Sequence, residues 1–259
     1  MTSFRRRLLA REHLIGTFVK TPTTHATEIL GDLGFDFVVI DEEHAPFDRA
    51  AIDTALLAAR ASNTAGLVRV ASALPAHLLS VLDCGATGVL VPHIATAQQA
   101  QEVAKACRYR NGKRGYSGSP RHARYGASSM WQTVDAADEA TTVIAQIEDP
   151  EALNEIDAIA AVDGIDALFI GRGDLAVALG ADSSDAPPVR DAVERIGAAA
   201  RKAGKPIAVF VGGKAEAAWL QEQGATTFVV SSDQGFMRRA AAQALTEIGS
   251  LRAKTEQKA

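Results

Sequence analysis

The chain has 259 residues, 47% of them hydrophobic, with a mean hydropathy of +0.02 and a formal net charge of −4 at pH 7. This apolar content excludes a disordered chain, and the acidic balance does not support a general nucleic-acid-binding role. The opening stretch MTSFRRRLLAREHLIGT is too polar for a signal peptide, and no stretch approaches the roughly 20 apolar residues of a membrane helix. We therefore expect a cytoplasmic protein, not membrane-bound, whose Cys84 and Cys107 are reduced.

Short β-branched runs alternate with longer Ala-rich stretches of helical periodicity along the whole chain. The predicted strands are 16–20, 36–41, 66–70, 88–92, 142–148, 166–171, 206–211 and 226–231. The predicted helices are 23–33, 48–62, 74–84, 96–107, 126–138, 150–161, 188–203, 213–223 and 236–253. Most strands are continuous apolar runs, which are typical of parallel sheets covered on both faces. We predict an α/β fold, a single (β/α)8 TIM-barrel domain over residues 1–259 with a frayed tail at 254–259.

A doubly wound open sheet is the alternative arrangement of such units. That fold usually has a glycine-rich loop after its first strand. Here the first strand leads into TPTTHAT, which contains no glycine. The barrel is therefore the favoured architecture.

Charged side chains gather where the predicted strands end. In a barrel, the carboxyl ends of the strands form the active site. The residues at these ends are Asp41, Glu42, Glu43, His44, Arg69, His93, Gln146, Glu148, Asp149, Arg172 and Asp174. The opposite ends begin with Gly, Pro or short polar turns, so this asymmetry indicates function.

Glu148 and Asp174 lie one βα unit apart and should stand on adjacent strands. Neighbouring carboxylates repel each other unless a cation lies between them. A hard divalent ion such as Mg²⁺ or Mn²⁺ fits this arrangement. The alternative is that both residues only cap the helices that follow.

Asp41 and His44 could form a base, because a carboxylate that holds an imidazole in one tautomer makes it competent for proton transfer. The alternative is a solvated strand end. Arg69 lies inside an apolar strand, where an unpaired guanidinium is costly. It either neutralises a barrel carboxylate or, as we favour, binds a substrate anion.

The basic stretch 108–125 interleaves arginines with three tyrosines. Such a pattern could bind RNA by stacking and charge. The interpretation that we favour is a loop that covers the barrel mouth or contacts another subunit.

Five motifs together resemble the HpcH/HpaI aldolase family of metal-dependent (class II) pyruvate aldolases on (β/α)8 barrels. They are GFDFVVIDEEHAPFD, DCGATGVLVPHIATAQQA, RYRNGKRG, AQIEDPEAL and VDGIDALFIGRGDLAVALG. The likeness extends from Gly16 to about Ala240, and several motifs in the right order are more specific than any one of them.

The resemblance implies a role for each matching residue. Glu148 and Asp174 match the metal ligands, for Mg²⁺ or Mn²⁺ and alternatively Co²⁺ or Ni²⁺. His44 matches the base with Asp41 as its partner, and Arg69 matches the arginine at the keto oxygen. The matches on the substrate side are Gln146, the backbone of Arg172 and Gly173, and Phe18. Glu42 and Glu43 are expected to point outward, toward residues behind the site or toward another subunit.

The implied reaction is the reversible cleavage of 4-hydroxy-2-oxo acids to pyruvate, or hydroxypyruvate, and an aldehyde through a metal-stabilised enolate. Two departures concern the substrate range: Arg172-Gly173 replaces the family's usual Pro-Ala, and Phe18 stands where a larger aromatic residue is common. The resemblance also implies a homotrimer or homohexamer in which the helix 236–253 is exchanged between subunits. The alternatives are an oxaloacetate decarboxylase-type lyase and a catalytically silent ligand-binding barrel.

Overall fold

Eight parallel strands pair in chain order, and the last pairs with the first to close a barrel. The computed structural model describes residues 3–256. The strands are β1 (Leu14–Val19), β2 (Phe37–Asp41), β3 (Ala65–Arg69), β4 (Gly88–Val91), β5 (Thr142–Ile147), β6 (Ala167–Ile170), β7 (Ile207–Val211) and β8 (Ala225–Ser232). The predicted (β/α)8 barrel is confirmed, and the open sheet is excluded.

Helices surround the barrel between the strands. They are α1 (Phe4–Leu9), α2 (Thr24–Asp32), α3 (Arg49–Ala61), α4 (Pro75–Asp83), α5 (Ala97–Ala106), α6 (Met130–Ala140), α7 (Ile156–Ala160), α8 (Arg172–Ala178), α9 (Pro187–Ala203), α10 (Lys214–Glu222) and α11 (Asp233–Glu256). Two 3-10 segments, Arg121–Gly126 and Pro150–Asn154, lie in the connections before and after β5. The sequence analysis did not predict α1 or α8.

The core has two parts, one inside the barrel and one between the strands and the helices. The inner part contains inward-facing residues of the strands together with Phe4 and Leu8 of α1. The Phe4 and Phe37 rings lie 5.2 Å apart, so α1 closes the amino-terminal end of the barrel. The outer part contains Cys84 and Cys107, both free thiols as expected, and burial raises the pKa of Cys107 to about 12.

The last helix, α11, begins three residues earlier than predicted and runs to Glu256. Of the predicted tail, residues 257–259 lie outside the described part of the chain. Apolar side chains of α11 are exposed, namely Met237, Leu245 and Ile248. Among the helices of residues 3–256, none has the length and apolar composition needed to cross a lipid bilayer.

Candidate active site

A cavity of about 450 Å³ opens at the carboxyl ends of the strands. Its lining includes six residues that the sequence predicted for the site: Phe18, Arg69, Gln146, Arg172, Gly173 and Asp174. The other three, Asp41, His44 and Glu148, contact this set or one another through the hydrogen bonds given below. The barrel therefore brings together side chains that lie up to 156 positions apart in the sequence.

Asp41 ends β2 and is held by cations. Arg69, its register partner on β3, donates from Nε and Nη2 to the two carboxylate oxygens at 2.9 and 2.8 Å. Lys20 Nζ lies 3.0 Å from Asp41 Oδ2. Burial alone would raise the pKa of Asp41, but the hydrogen bonds and charges of Arg69 and then Lys20 outweigh it and hold the pKa below its usual value. Arg69 thus neutralises a barrel carboxylate, the interpretation that we did not favour from the sequence.

His44 meets Asp41 through its main chain, because its backbone N–H donates to Asp41 Oδ1 at 3.2 Å. The predicted contact between the Asp41 carboxylate and the imidazole is not among the contacts of residues 3–256. The ring is 54% exposed, and its Nε2 lies 3.6 Å from Glu43 Oε2. Glu43, not Asp41, is the carboxylate beside the imidazole.

Glu43 was expected to point outward, and this was wrong. Its side chain is only 12% exposed and lies between Arg69 Nε, at 3.4 Å, and the rings of His44 and His93, at 3.6 Å each. The strand ends at Asp41, so the two-residue alternation of a strand no longer tells which of the next side chains face inward. A run of four charged residues therefore gave no basis for choosing between Glu42 and Glu43.

His93 follows β4 and was given no role by the sequence analysis. Its φ of 56° places the residue in the left-handed region. There its backbone N–H donates to Glu148 Oε1 at 2.9 Å, while its Nδ1 lies 3.2 Å from both Asp149 oxygens. Burial alone would lower the pKa of His93, but Asp149, Glu148 and Glu43 raise it above the usual value. Its place after a strand was the one feature that could have pointed to it.

Glu148 is buried at the end of β5, and both its oxygens are occupied. Oε1 accepts from the His93 main chain, and Oε2 accepts from the Gln146 amide. Burial raises the pKa of Glu148; the Gln146 and His93 contacts lower it in part, and the nearby charge of Asp174 adds to the rise. A Cβ on Gly171 would lie 2.7 Å from Glu148 Oε2, so the end of β6 must carry glycine to pass this carboxylate.

The acidic groups fit a divalent cation. Glu43, His93 and Glu148 each offer a ligand atom, and these atoms lie within 4.8 Å of one another. Glu43 Oε2 is buried without a hydrogen-bond partner among the described residues, and a cation would satisfy it. Asp174 is exposed in the first turn of α8 and lies outside this cluster, although its charge acts on Glu148.

Arg172, one of the two departures from the family's usual residues, carries a charge that other side chains already compensate. Its buried guanidinium pairs with Glu216 and with Asp185, the latter at 3.2 Å. It also donates to the carbonyls of Ser184 and Phe210, both at 3.4 Å. Arg172 therefore ties α8 to the segment before α9 and to α10. Arg172, Gly173 and Asp174 form the first turn of α8.

Phe18 lies on the other side of the cavity, at the end of β1. The Arg69 guanidinium lies 4.6 Å from the centre of its ring, within the range of a cation–π contact. The Phe210 ring is 6.2 Å away. Phe18 therefore helps to hold the guanidinium that holds Asp41.

The basic stretch 108–125 lies away from this cavity. Four of its arginines pair with carboxylates of the barrel's own helices and loops: Arg108 with Asp166, Arg110 with Asp135, Arg114 with Asp83 and Arg121 with Asp53. Asp83 ends α4 and Asp166 precedes β6, so the stretch packs at the amino-terminal end. The stretch therefore does not cover the mouth, whereas the alternative of a contact with another subunit stays a prediction. Its paired charges disfavour RNA binding.

Comparison with known proteins gives a consistent result. The HpcH/HpaI aldolase/citrate lyase family model matches residues 14–240. The 5-keto-4-deoxy-D-glucarate aldolase of Klebsiella pneumoniae is 36% identical over 239 residues, covering 92% of this chain and 93% of that protein. The crystal structure of an HpcH/HpaI aldolase/citrate lyase family protein from Burkholderia cenocepacia has a TM-score of 0.89 and 32% identity, covering 94% of this chain and 98% of that one. An HpcH/HpaI aldolase from Desulfitobacterium hafniense has a TM-score of 0.89 and 27% identity, covering 96% and 97%.

Proposed function

The chain belongs to the HpcH/HpaI aldolase/citrate lyase family, and from this premise we propose how its site works and on what. It is a carbon–carbon lyase of the class II aldolase type. We propose that it reversibly cleaves a 4-hydroxy-2-oxo acid to pyruvate, or hydroxypyruvate, and an aldehyde. The observation that carries the proposal is the convergence of Glu43, His93 and Glu148 beside the Asp41–Arg69 pair at the barrel mouth.

A divalent cation, Mg²⁺ or Mn²⁺ and alternatively Co²⁺ or Ni²⁺, would be held by Glu148 and Asp174. Glu43 and His93 offer further ligand atoms within 4.8 Å of that of Glu148. When bound, it supplies Lewis-acid polarisation of the 2-oxo group and neutralises the enolate charge that develops there. Gln146 holds Glu148 in place by donating to its Oε2.

The 2-oxo acid would occupy the cavity between Phe18 and the first turn of α8. A Cβ built on Gly173 meets no atom within 4 Å, so this side of the turn is open. The main-chain N–H groups of Arg172 and Gly173 would donate to the substrate carboxylate, as first-turn N–H groups have no partner within the helix. The Arg172 side chain contributes by fixing this turn through Glu216 and Asp185.

His44 would act as the base that takes the C4 hydroxyl proton in cleavage and the C3 proton in the reverse direction. Its exposed ring reaches solvent and substrate, and Glu43 lies 3.6 Å from Nε2. Glu43 is thus the carboxylate that would pair with the ring once it carries the proton. Asp41 serves the base indirectly, because it accepts the His44 main-chain N–H and fixes the turn that carries the ring. Arg69 places its positive charge where the substrate oxygen becomes negative.

The experiment is hydrogen–deuterium exchange at C3 of pyruvate in D₂O, followed by NMR on metal-stripped protein with and without added Mn²⁺ or Mg²⁺. We expect metal-dependent exchange that is lost in Glu148→Gln and reduced at least tenfold in His44→Ala. Matched controls are Glu28→Gln and His77→Ala, which change exposed residues on α2 and α4. Exchange that survives Glu148→Gln, or that never occurs with any metal, would contradict the proposal.

We also propose that the protein assembles as a trimer or hexamer through α11. Met237, Leu245 and Ile248 are between 65% and 68% exposed on this helix. Such a row of exposed apolar side chains is typical of a surface that another chain covers. Light scattering after size exclusion tests this: a monomeric mass would contradict it.

A cytoplasmic location of the protein stays a prediction.

A further inference from the structure

His93 contacts the carboxylate cluster with both its main chain and its ring. Its N–H donates to Glu148 Oε1 at 2.9 Å, and its Nδ1 lies 3.5 Å from the same oxygen. The φ of 56° at His93 is a conformation that few residues other than glycine adopt, and it persists where the surrounding structure fixes it. The ring is therefore held beside Glu148, while a side-chain exposure of 59% leaves it open to solvent.

The two ring nitrogens of His93 face different carboxylates. Nδ1 lies 3.2 Å from both oxygens of Asp149, within hydrogen-bond distance, whereas Nε2 lies 3.6 Å from Glu43 Oε1. A carboxylate behind one ring nitrogen is the usual arrangement of a metal-binding histidine, because it keeps the proton on that nitrogen and leaves the lone pair of the other for the metal. In the part of the chain that the structure describes, His93 is the one histidine with a carboxylate near each ring nitrogen, since His44 has Glu43 near Nε2 alone.

The gap between Nε2 of His93 and Glu43 fits a shared ion better than a hydrogen bond. A distance of 3.6 Å is too long for a charge-assisted hydrogen bond, which is about 2.7–2.9 Å. Two ligand atoms that each lie about 2.1 Å from one ion are instead roughly 3–4 Å apart. Glu43 Oε2 is moreover buried without a hydrogen-bond partner among residues 3–256, so this carboxylate lacks a donor that a cation would replace.

We propose that Nε2 of His93 binds the divalent cation of this site together with the carboxylates, and that Asp149 holds the ring in the tautomer that this requires. The inference rests on the proposed aldolase function, which supplies the cation. Imidazole suits ions such as Ni²⁺ and Zn²⁺, whereas carboxylates and water suit Mg²⁺ and Mn²⁺. His93 therefore adds more to the affinity for Ni²⁺ than to the affinity for Mg²⁺.

The competing arrangement is a protonated His93 that itself neutralises Glu43, Glu148 and Asp149. In that case the ring competes with a metal ion for the same carboxylates. The two arrangements predict opposite effects when the ring is removed. Loss of a ligand weakens metal binding, whereas loss of a competing cation strengthens it.

The first measurement is calorimetric titration of the metal-stripped protein with Ni²⁺ and with Mg²⁺, in the absence of substrate. His93→Asn suits this test, because asparagine tolerates the left-handed backbone and its side chain is too short to replace the imidazole. We expect the Kd for Ni²⁺ to rise roughly 100-fold in His93→Asn and about tenfold in Asp149→Asn, which keeps the ring. The Kd for Mg²⁺ should rise less than about threefold in both.

The matched controls change exposed residues away from the site. His77→Asn lies on α4 and Asp157→Asn lies on α7, and both should leave the two Kd values unchanged.

The second measurement identifies the ligand atom. Pulsed electron paramagnetic resonance of the Mn²⁺-loaded protein detects the modulation from a directly bound nitrogen, and ¹⁵N-labelling of the histidines changes that modulation. We expect a bound-nitrogen signal that His93→Asn removes and that His44→Asn and His77→Asn retain.

The outcomes separate this inference from the proposed function. Metal binding that depends on Glu148 but gives no nitrogen signal, or that is unchanged or tighter in His93→Asn, would overturn the assignment of His93 and leave the aldolase proposal standing. A nitrogen signal that His44→Asn removes would place the ligand on the other ring and overturn the assignment equally. Absence of any metal binding that Glu148→Gln weakens would refute the metal site on which both proposals rest.

Discussion

Replacing Asp41 with Asn should destabilise the fold strongly, because it removes one partner of a buried ion pair. Asp41 is fully buried, and the Arg69 side chain is only 8% exposed. Without the carboxylate, Arg69 and Lys20 remain as two adjacent cations. Removing one partner of a buried pair costs about 3–5 kcal/mol, because the other charge is left uncompensated. For a chain of this length that loss lowers Tm by about 6–20 °C.

The assay is urea unfolding followed by circular dichroism on Asp41→Asn, Arg69→Met and the double variant. The double variant should lose at least about 1.5 kcal/mol less than the two single losses added together, since it leaves fewer unpaired charges. Asp157→Asn is the matched control, because its pair with Lys202 is 65% and 74% exposed and should contribute at most about 0.5 kcal/mol. A loss below about 1 kcal/mol in Asp41→Asn, or simple additivity, would refute the reasoning.

Three further outcomes follow from the same geometry. Burial alone would raise the pKa of Asp41, but Arg69 and Lys20 lower it overall. The stabilisation that Asp41 contributes is therefore present above its unfolded pKa of about 3.9 and is lost as pH falls through its folded pKa. Asp41→Asn should flatten the profile of unfolding free energy against pH below about pH 4, and an unchanged profile would contradict this. A divalent cation at 100 times its Kd should raise the free energy of unfolding by about 2.7 kcal/mol, seen as a chelator-sensitive rise in Tm that Glu148→Gln abolishes but Glu28→Gln retains. Arg172→Met leaves two carboxylates without their cation and should cost about 1–3 kcal/mol while raising KM for pyruvate; a KM equal to wild type would separate the guanidinium from substrate binding.

The sequence was sufficient to predict the barrel, because most of the strands are continuous apolar runs and a helix-length stretch follows each of them. Two helices were missed for different reasons. The first, α1, is six residues long and contains three arginines, and its stability comes from Phe4 and Leu8 packing into the barrel interior. The second, α8, begins at Arg172 and includes Gly173, which disfavours helix on propensity alone. In both, tertiary contacts outweigh local preference.

The sequence placed correctly those site residues that lie within a strand or directly beside one. Gln146, Glu148 and Arg69 could be placed at the mouth because they lie within or next to strands, where the direction of a side chain follows from alternation and register. Glu43 and His93 lie just beyond strand ends, where the chain turns, and their directions depend on the left-handed φ of His93 and on the turn after Asp41. Partner choice is likewise set in three dimensions: nothing in the sequence indicates that Arg172 would meet Glu216, 44 positions later.

The charged run at the end of β2 can now be explained residue by residue. Asp41, inside the barrel wall, is paired with Arg69 and Lys20. Glu42 turns back along the wall, and its carboxylate accepts the main-chain N–H of Ala71 at 3.1 Å, which fixes the chain after β3. Glu43 faces the two histidines, and His44 is positioned by its own N–H on Asp41. The three consecutive carboxylates are tolerated because each contacts a different set of hydrogen-bond donors or cations. Of these sets, only the one around Glu43 contains a residue, His93, that could also bind a divalent cation. A change at Glu42 should therefore act on stability, and a change at Glu43 on metal affinity and proton transfer.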